Sequence, residues 1–545
     1  MEIKIILLFF VCFEFKCIAC SSCGTNQLKI TPYVLDIGDI QRRKLANEFT
    51  PINIKVDMTY LKSQNILNNE QFTNLKEIFR EVTEYFKAIL SVQKLSLSSL
   101  DLSQYINEQC GISKFDLSDE NFDLLILPEI SGDLNKNVLA GGTPCIILKN
   151  HKPVAGYIKI NKNLSLEKTN FKYYMKTLLF HELSHVLAFH PYFFKNLNLL
   201  STKNIDGQQY NYISSPKVME KAKLHFGCDN INGVQLENDG GDGTAGSHWD
   251  SRYMLGDYMM ATDYSDVVLS DISLALFEDT GFYQVNYYTG GLFRFGKNQG
   301  CSFIEKKCLY NQGKNTLFPN DFCNESGKSF CSSSHISKGN CLIFNNYTSI
   351  SQRYRYFGDK HTGGLSHADY CPISHTNPVS NNYYFPDNCK FGKSESEGEI
   401  INEDSLCFES SINNSGMKSV CYKMECNLSS KTFSIYIGSK IVNCPGIETV
   451  LNNPSALNGQ IKCPDYNLVC TSQTWCNDIF DCIDKKSQAD LNTYDYISNK
   501  TKLQNKDAVN LLIDDSILIL EEDKNSIISF NLNLITLLFM LLINF

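Results

Sequence analysis

Phe180-His181-Glu182-Leu183-Ser184-His185-Val186-Leu187-Ala188-Phe189 sets two imidazoles four residues apart, with a carboxylate directly after the first. On a helix such positions stack one turn apart on one face, so His181 and His185 point ring nitrogens at one ion and Glu182 lies beside it. Upstream, Phe171, Tyr174, Met175, Leu178 and Leu179 keep apolar helical spacing, and no Pro or Gly interrupts positions 171–189. This predicts a one-sided helix whose apolar face meets the core and whose other face carries the ligands. Two neutral imidazoles suit zinc, and a zinc that does chemistry needs a third protein ligand and a water whose pKa it lowers. Glu182 is then placed to take the proton from that water as it attacks a carbonyl, and to return it to a leaving amine.

Two histidines downstream compete for the third place. His190 lies five residues past His185, roughly 140° around a helix, and Pro191 ends the helix there. His248 closes Glu237-Asn238-Asp239-Gly240-Gly241-Asp242-Gly243-Thr244-Ala245-Gly246-Ser247-His248-Trp249-Asp250, whose four glycines permit the tight turns that return a ligand to a metal. The reading favours His248. Beyond it, Gly256-Asp257-Tyr258-Met259-Met260-Ala261-Thr262 places a methionine in a tight turn, where a soft side chain can floor the imidazoles.

Ile52, Ile54, Val56 and Met58 alternate with polar residues, predicting a half-buried strand. Phe72, Leu75, Ile78, Phe79, Val82, Tyr85, Phe86, Ile89 and Leu90 form a helical stripe. Strands are predicted at Phe122 to Leu127, before Pro128, and at Val138 to Leu148 and Val154 to Ile160, the last two joined by a turn near Lys149 to Pro153. Strand, helix, strands, then the histidine helix make an α/β half-domain with the metal at its lower edge.

The 545 residues carry a net charge of -9, which argues against a nucleic-acid partner. Met1 to Lys4, Ile5 to Phe13 and Cys17 to Ser22 read in order as the basic start, apolar core and cleavage region of a secretory signal. Residues 24–50 show no strong period and are treated as a leader or short propeptide; Cys20 and Cys23, just before them, are candidates to cap a zinc before activation. Ile527 to Phe545 is apolar, as in a signal for a glycosylphosphatidylinositol anchor, with Asp514, Asp515 and Ser516 near the attachment point; a retained tail anchor is the rival. Of 22 cysteines, four fall in positions 1–23 and 18 lie between Cys110 and Cys482, an even number suited to nine disulfides in an oxidising compartment. N-glycan acceptor patterns occur at Asn163, Asn324, Asn346, Asn413, Asn427 and Asn499.

The order of histidine helix, long insertion, Gly-Ser-His-Trp, methionine turn, and a helix from Ser270 to Thr280 closing at Gly281-Phe282-Tyr283 resembles the leishmanolysin family of surface metalloproteases, in the metzincin clan. Thr143-Pro144-Cys145, Val154-Ala155-Gly156-Tyr157-Ile158, Asp369-Tyr370-Cys371-Pro372 and Cys421-Tyr422-Lys423-Met424 extend the resemblance over about residues 50–485. It implies an α+β fold: a metzincin-type catalytic domain with a mixed twisted sheet and active-site helix, then a disulfide-rich, mainly β or irregular C-terminal domain. It also implies one zinc ion held by His181, His185 and His248, with Glu182 as catalytic base and Met259, rather than Met260, as the turn methionine. The resulting division is 1–20 signal, 21–50 leader, 51–200 N-terminal catalytic subdomain, 201–300 insertion with third ligand and methionine turn, 301–485 cysteine-rich domain, 486–526 polar stalk and 527–545 hydrophobic tail. The expected protein is a membrane-tethered or secreted, monomeric zinc endopeptidase that takes peptide and protein substrates in extended form along an edge strand. The alternatives are a surface adhesion or host-contact protein with a vestigial metal site, and a zinc hydrolase acting on other bonds. Ala188 departs from the family's usual Gly; if the helix exit needs positive φ, it costs about 1 kcal/mol or more. The family's cysteine-switch propeptide is not evident either.

Overall fold

A computed structural model describes residues 28, 31–35 and 49–474, the last range without 94–101, 119–120, 136–137, 240–243, 288–292, 378 and 428. The expected signal, stalk and hydrophobic tail lie outside the described residues. The N-terminal half runs β1 (Tyr33–Leu35), β2 (Phe49–Pro51), β3 (Ile54–Val56), α1 (Thr59–Ser63), α2 (Asn69–Ile89), β4 (Leu90–Gln93) and α3 (Ser103–Cys110), and then β5 (Leu124–Ser131), β6 (Ala140–Leu148), β7 (Pro153–Asn161), α4 (Phe171–Leu187) and α5 (Pro191–Asn196).

Five of these strands form a mixed sheet in the order β1-β6-β7-β5-β3. Only β6 and β7, joined by the short turn, pair antiparallel; the other neighbours are parallel. The alternating stretch from Ile52 is shorter as a strand than its pattern suggests, because only Ile54–Val56 has a partner, Leu124 to Ile126 of β5. β5 itself runs on through Pro128, opposite Ile158. Proline lacks a ladder donor, so its place in a strand needs an open side. Ile130, two residues on and facing the same way, meets the Gln64 side chain instead of a strand, donating to Oε1 and accepting from Nε2, both at 2.9 Å. Pro128 therefore turns its missing N–H toward the side where β3 has already ended.

α2 begins at a capping box in which Asn68 accepts from the Gln71 amide and Gln71 accepts from the Asn68 amide. Its stripe Leu75, Ile78, Phe79, Val82, Tyr85, Phe86 and Ile89 is buried, each large apolar side chain contributing about 1.5–3 kcal/mol of transfer free energy. Much of that face meets α4, where Phe86 stacks on Phe180 with centroids 4.3 Å apart.

α4 is not the one-sided helix its spacing suggests, since every residue from Leu178 to Leu187 is buried. The sheet covers one side, while Tyr258 and Phe277, from chain beyond the insertion, reach the aromatic residues of α2 and of the α4 exit. Two glycines set how closely α4 approaches the sheet. A Cβ at Gly142 would fall on the carbonyl oxygen of Glu182, and one at Gly156 on the Val186 side chain. Gly142→Ala is expected to lower stability by about 1–3 kcal/mol by forcing the helix off the sheet. Gly416→Ala, whose Cβ meets nothing within 4 Å, serves as the near-neutral control in denaturant titration. Equal midpoints for the two variants would refute the close-approach account.

The core around α4 extends far along the chain, taking in Phe303, Phe318, Phe322, Tyr384 and Phe385. A second core lies under an antiparallel six-stranded sheet of Lys440–Cys444, Thr432–Ile437, Lys418–Asn427, Ser405–Ser410, Gln460–Cys463 and Thr449–Asn452, in that order. Eight disulfides link Cys110–Cys145, Cys228–Cys301, Cys308–Cys371, Cys323–Cys341, Cys331–Cys407, Cys389–Cys421, Cys426–Cys470 and Cys444–Cys463. Cys476 and Cys482, the remainder of the expected nine pairs, lie outside the described residues. The architecture is α+β and disulfide-rich, and among the described residues no helix is long and apolar enough to cross a membrane.

Candidate metal centre

His181 and His185 project from α4, and His248 meets them from the glycine-rich segment. The three Nε2 atoms lie 3.0 Å (181–185), 3.1 Å (185–248) and 3.2 Å (181–248) apart. Each Nδ1 faces a backbone carbonyl: Tyr258 at 2.7 Å, Phe189 at 2.5 Å and Thr244 at 2.8 Å. A carbonyl only accepts, so each Nδ1 carries the proton and donates it, and each Nε2 presents a lone pair. Burial drives the His181 pKa down to about 4 and that of His248 to about 3, and holds His185 well below the ordinary range, so all three rings are neutral near pH 7. Three lone pairs aimed at one another repel unless a cation lies among them. Imidazole nitrogens about 2.0–2.1 Å from a tetrahedral zinc are about 3.3–3.4 Å apart, close to the spacing here, so the residues fit such an ion.

Local backbone geometry builds these clamps. The α4 exit turns sharply, with the Ala188 and Phe189 amides both donating to the Ser184 carbonyl at 2.9 Å, and the turn carries the Phe189 carbonyl back to the His185 ring. Ala188 adopts φ -153° and ψ -38°, a negative φ, so the penalty expected for lacking Gly at a positive-φ position is not incurred. His248 sits on a strand-like ladder. The Glu237 amide donates to the His248 carbonyl, Gly246 donates to Glu237, and Trp249 donates to the Met259 carbonyl. The Trp249 indole N–H donates to Ser273 Oγ at 2.8 Å, and Ser273 donates to the Asp257 carboxylate, which also accepts from the Met259 amide. Third histidine, methionine turn and the helix Asp271–Asp279 are thereby one hydrogen-bonded unit. Met259 and Met260 are both buried; the Met260 sulfur accepts from the Gly256 amide at 3.1 Å.

Behind the His248 ladder, Gln235 and Asn238 each donate to both Asp250 and Asp369. Asp369 comes from the Asp-Tyr-Cys-Pro stretch, two residues before Cys371, which is bridged to Cys308. Burial pushes the carboxyls of Glu237, Asp250 and Asp369 up in pKa.

Glu182 is buried and lines, with His181, a cleft shared with Tyr258 and Met260. His190 stands apart, capping α5: its Nδ1 accepts from the Tyr192 amide and its Nε2 meets Thr143 Oγ1, both at 3.1 Å. Among the described residues, His181, His185 and His248 are the one group of three or more ligand-type side chains close enough to hold a metal ion. The carbonyls of Tyr258, Phe189 and Thr244 escaped the sequence reading because a backbone acceptor has no side-chain signature.

Fold and cluster together define a class: α+β proteins with a cluster of three histidines able to hold a metal ion, two of them from one sheet-backed helix. The chain belongs to the leishmanolysin family, whose model, described as Leishmanolysin, matches residues 55–476. A leishmanolysin homolog of Crithidia fasciculata is 28% identical over 395 residues, covering 67% of this chain and 58% of that protein. Leishmanolysin of Leishmania major is 25% identical over 440 residues, 75% of this chain and 70% of its own length. A leishmanolysin-like peptidase of Caenorhabditis elegans is 32% identical over 223 residues, 36% of this chain and 34% of its own. The chain thus spans under two thirds of the length of the Crithidia relative and of the similarly matched Leishmania chagasi leishmanolysin, 58% in each case.

Proposed function

We propose that this chain is a zinc-dependent endopeptidase acting on extended peptide segments at a cell surface or after secretion. The observation that carries this reading is the convergence of three imidazole lone pairs beside the buried carboxylate of Glu182. His181, His185 and His248 would hold one zinc ion, and Met259 would floor the site. Zinc, when bound there, supplies a Lewis acid that lowers the pKa of water and polarises a carbonyl. Glu182 accepts the proton of the attacking water and delivers it to the departing amine. The Nδ1–H to carbonyl bonds hold each ring in orientation and tautomer, so the ligands need no rearrangement when the ion arrives.

The outer edge of β6 supports peptide docking. Among the described residues only β1 pairs with that edge, at Ile146 to Leu148. The portion from Ala140 to Thr143 passes directly under Glu182 at Gly142, where main-chain hydrogen bonds to a substrate would give affinity and side-chain pockets preference. Residues 51–300 would supply the chemistry and 301–485 a disulfide-stapled support, with a C-terminal lipid anchor or tail as the membrane tether. The disulfides suit an oxidising compartment.

The test is digestion of an unfolded protein by the secreted ectodomain. Cleavage at internal bonds, abolished by a chelator and restored by added zinc, is expected. A zinc-loaded protein that leaves unfolded proteins intact, or cleavage indifferent to chelator, would remove the assignment.

A further inference from the structure

Two side-chain amides flank the rung that carries His248. The chain from Gln235 to Asn238 runs antiparallel to it: Leu236 bridges Trp249, the Glu237 amide donates to the His248 carbonyl at 2.9 Å, and the Asp250 amide donates to the Gln235 carbonyl at 3.1 Å. A side-chain amide has two N–H donors, and Gln235 and Asn238 each share theirs between two carboxylates. One is Asp250, at 2.7 and 3.1 Å, which belongs to the His248 strand itself. The other is Asp369, whose Oδ2 accepts from Gln235 at 3.3 Å and whose Oδ1 accepts from Asn238 at 3.2 Å. Asp369 is buried and comes from the cysteine-rich part of the chain; a hydrogen bond with Tyr354 and the charges of Arg252 and Arg353 also act on it. The turn that presents it is conformationally demanding, because Asp369 and Tyr370 follow one another at φ +51° and +61°, a region that a bulky side chain seldom enters. It is held by the Tyr370 amide donating to the Leu365 carbonyl, the Cys371 amide donating to the Ala368 carbonyl, and the bond from Cys371 to Cys308. Backbone kept in so uncommon a form points to a use for it.

We propose that Asp369 is a positioning residue for the third histidine, an inference that rests on the metal-binding part of the reading above: by clasping Gln235 and Asn238 it fixes the strand opposite His248, so that zinc retention depends on the cysteine-rich chain as well as on residues 51–300. The role needs only acceptor oxygens, so it does not turn on the protonation of the carboxyls around it. His181 and His185 share one helix packed on the sheet and hold their spacing by helical geometry. His248 has only a short ladder, and Asp369 grips that ladder on both flanks of its rung. Without Asp369 one N–H of each amide loses its acceptor, and Gln235 is buried, where water does not readily replace it. The strand shifts to satisfy those donors and carries the His248 carbonyl with it, which turns the His248 Nε2 away from the other two.

The test uses the full chain, loaded with zinc for release into excess chromophoric chelator and with cobalt for its visible spectrum. Asp369→Ala is expected to release zinc about tenfold or more faster than the parent, the effect of losing a partner that orients a ligand, and to shift the cobalt bands. Asp369→Asn, which keeps one acceptor oxygen, should do the same by less, and Asn238→Ala should speed release about threefold. Ile435→Ala, in the buried core under the six-stranded sheet, is the control: it lowers the thermal midpoint by leaving a cavity and should leave zinc release and the cobalt spectrum as in the parent. Parent-like release and spectrum in Asp369→Ala, or an equal acceleration in Ile435→Ala, overturn the assignment and leave the metal centre standing. If Asp369→Ala does not fold, Asp369→Asn and Asn238→Ala decide by the same two readouts, and parent-like values in both overturn it. A folded parent chain that holds neither zinc nor cobalt overturns the metal centre and this assignment together.

Discussion

Glu182→Gln is expected to bind zinc as the parent chain does and to cut peptide about 10^3-fold more slowly, within the range attributed to a positioned general base. The amide matches the carboxylate in shape but has no basic oxygen to take a proton from water. Its placement should survive the change, because the Glu182 backbone is pressed against β6 at Gly142 and the helix around it is buried on every side. The loss should therefore fall on kcat with zinc content unchanged. Metal analysis and kcat/KM on one quenched peptide decide the matter; turnover within tenfold of the parent would take Glu182 out of the mechanism.

His248→Ala should lower zinc affinity at least about 100-fold, more than the loss of an outer-shell partner usually costs. It leaves two ligands on one helix and removes the one ring that comes from outside it. His190→Ala provides the contrast. That ring caps α5 and meets Thr143, so its removal should reduce stability modestly and spare the metal. Competition with a chromophoric chelator measures both. Parent-like affinity in His248→Ala, or collapse of affinity in His190→Ala, would reverse the assignment of the third ligand.

Much of this was legible in the residues, and the reasons differ by element. The pair His181 and His185 could be placed because helical pitch alone puts i and i+4 together. The buried stripe of α2 likewise follows from a periodicity of 3.6, and the β6–β7 hairpin from two apolar runs joined by a turn. Where local pattern failed, a distant segment had intervened. Pro128 looked like the end of a strand, yet Gln64 and the early finish of β3 let β5 continue through it. α4 looked one-sided, yet chain from beyond the insertion covers its remaining faces. Ala188 looked strained by comparison with a family glycine, yet its φ of -153° carries no such demand.

By itself the sequence determined which side chains are able to ligate a metal, that α2, α4, β6 and β7 form where they do, and that many cysteines would staple the chain, because these depend on side-chain chemistry and short-range geometry. Only the tertiary structure brought His248, and not His190, beside His181 and His185, and showed which carbonyls fix the three tautomers and which cysteines pair. Those outcomes depend on where segments far apart in the chain come to rest, and that is set by the packing of the whole core around α4, on which no local run of residues carries information.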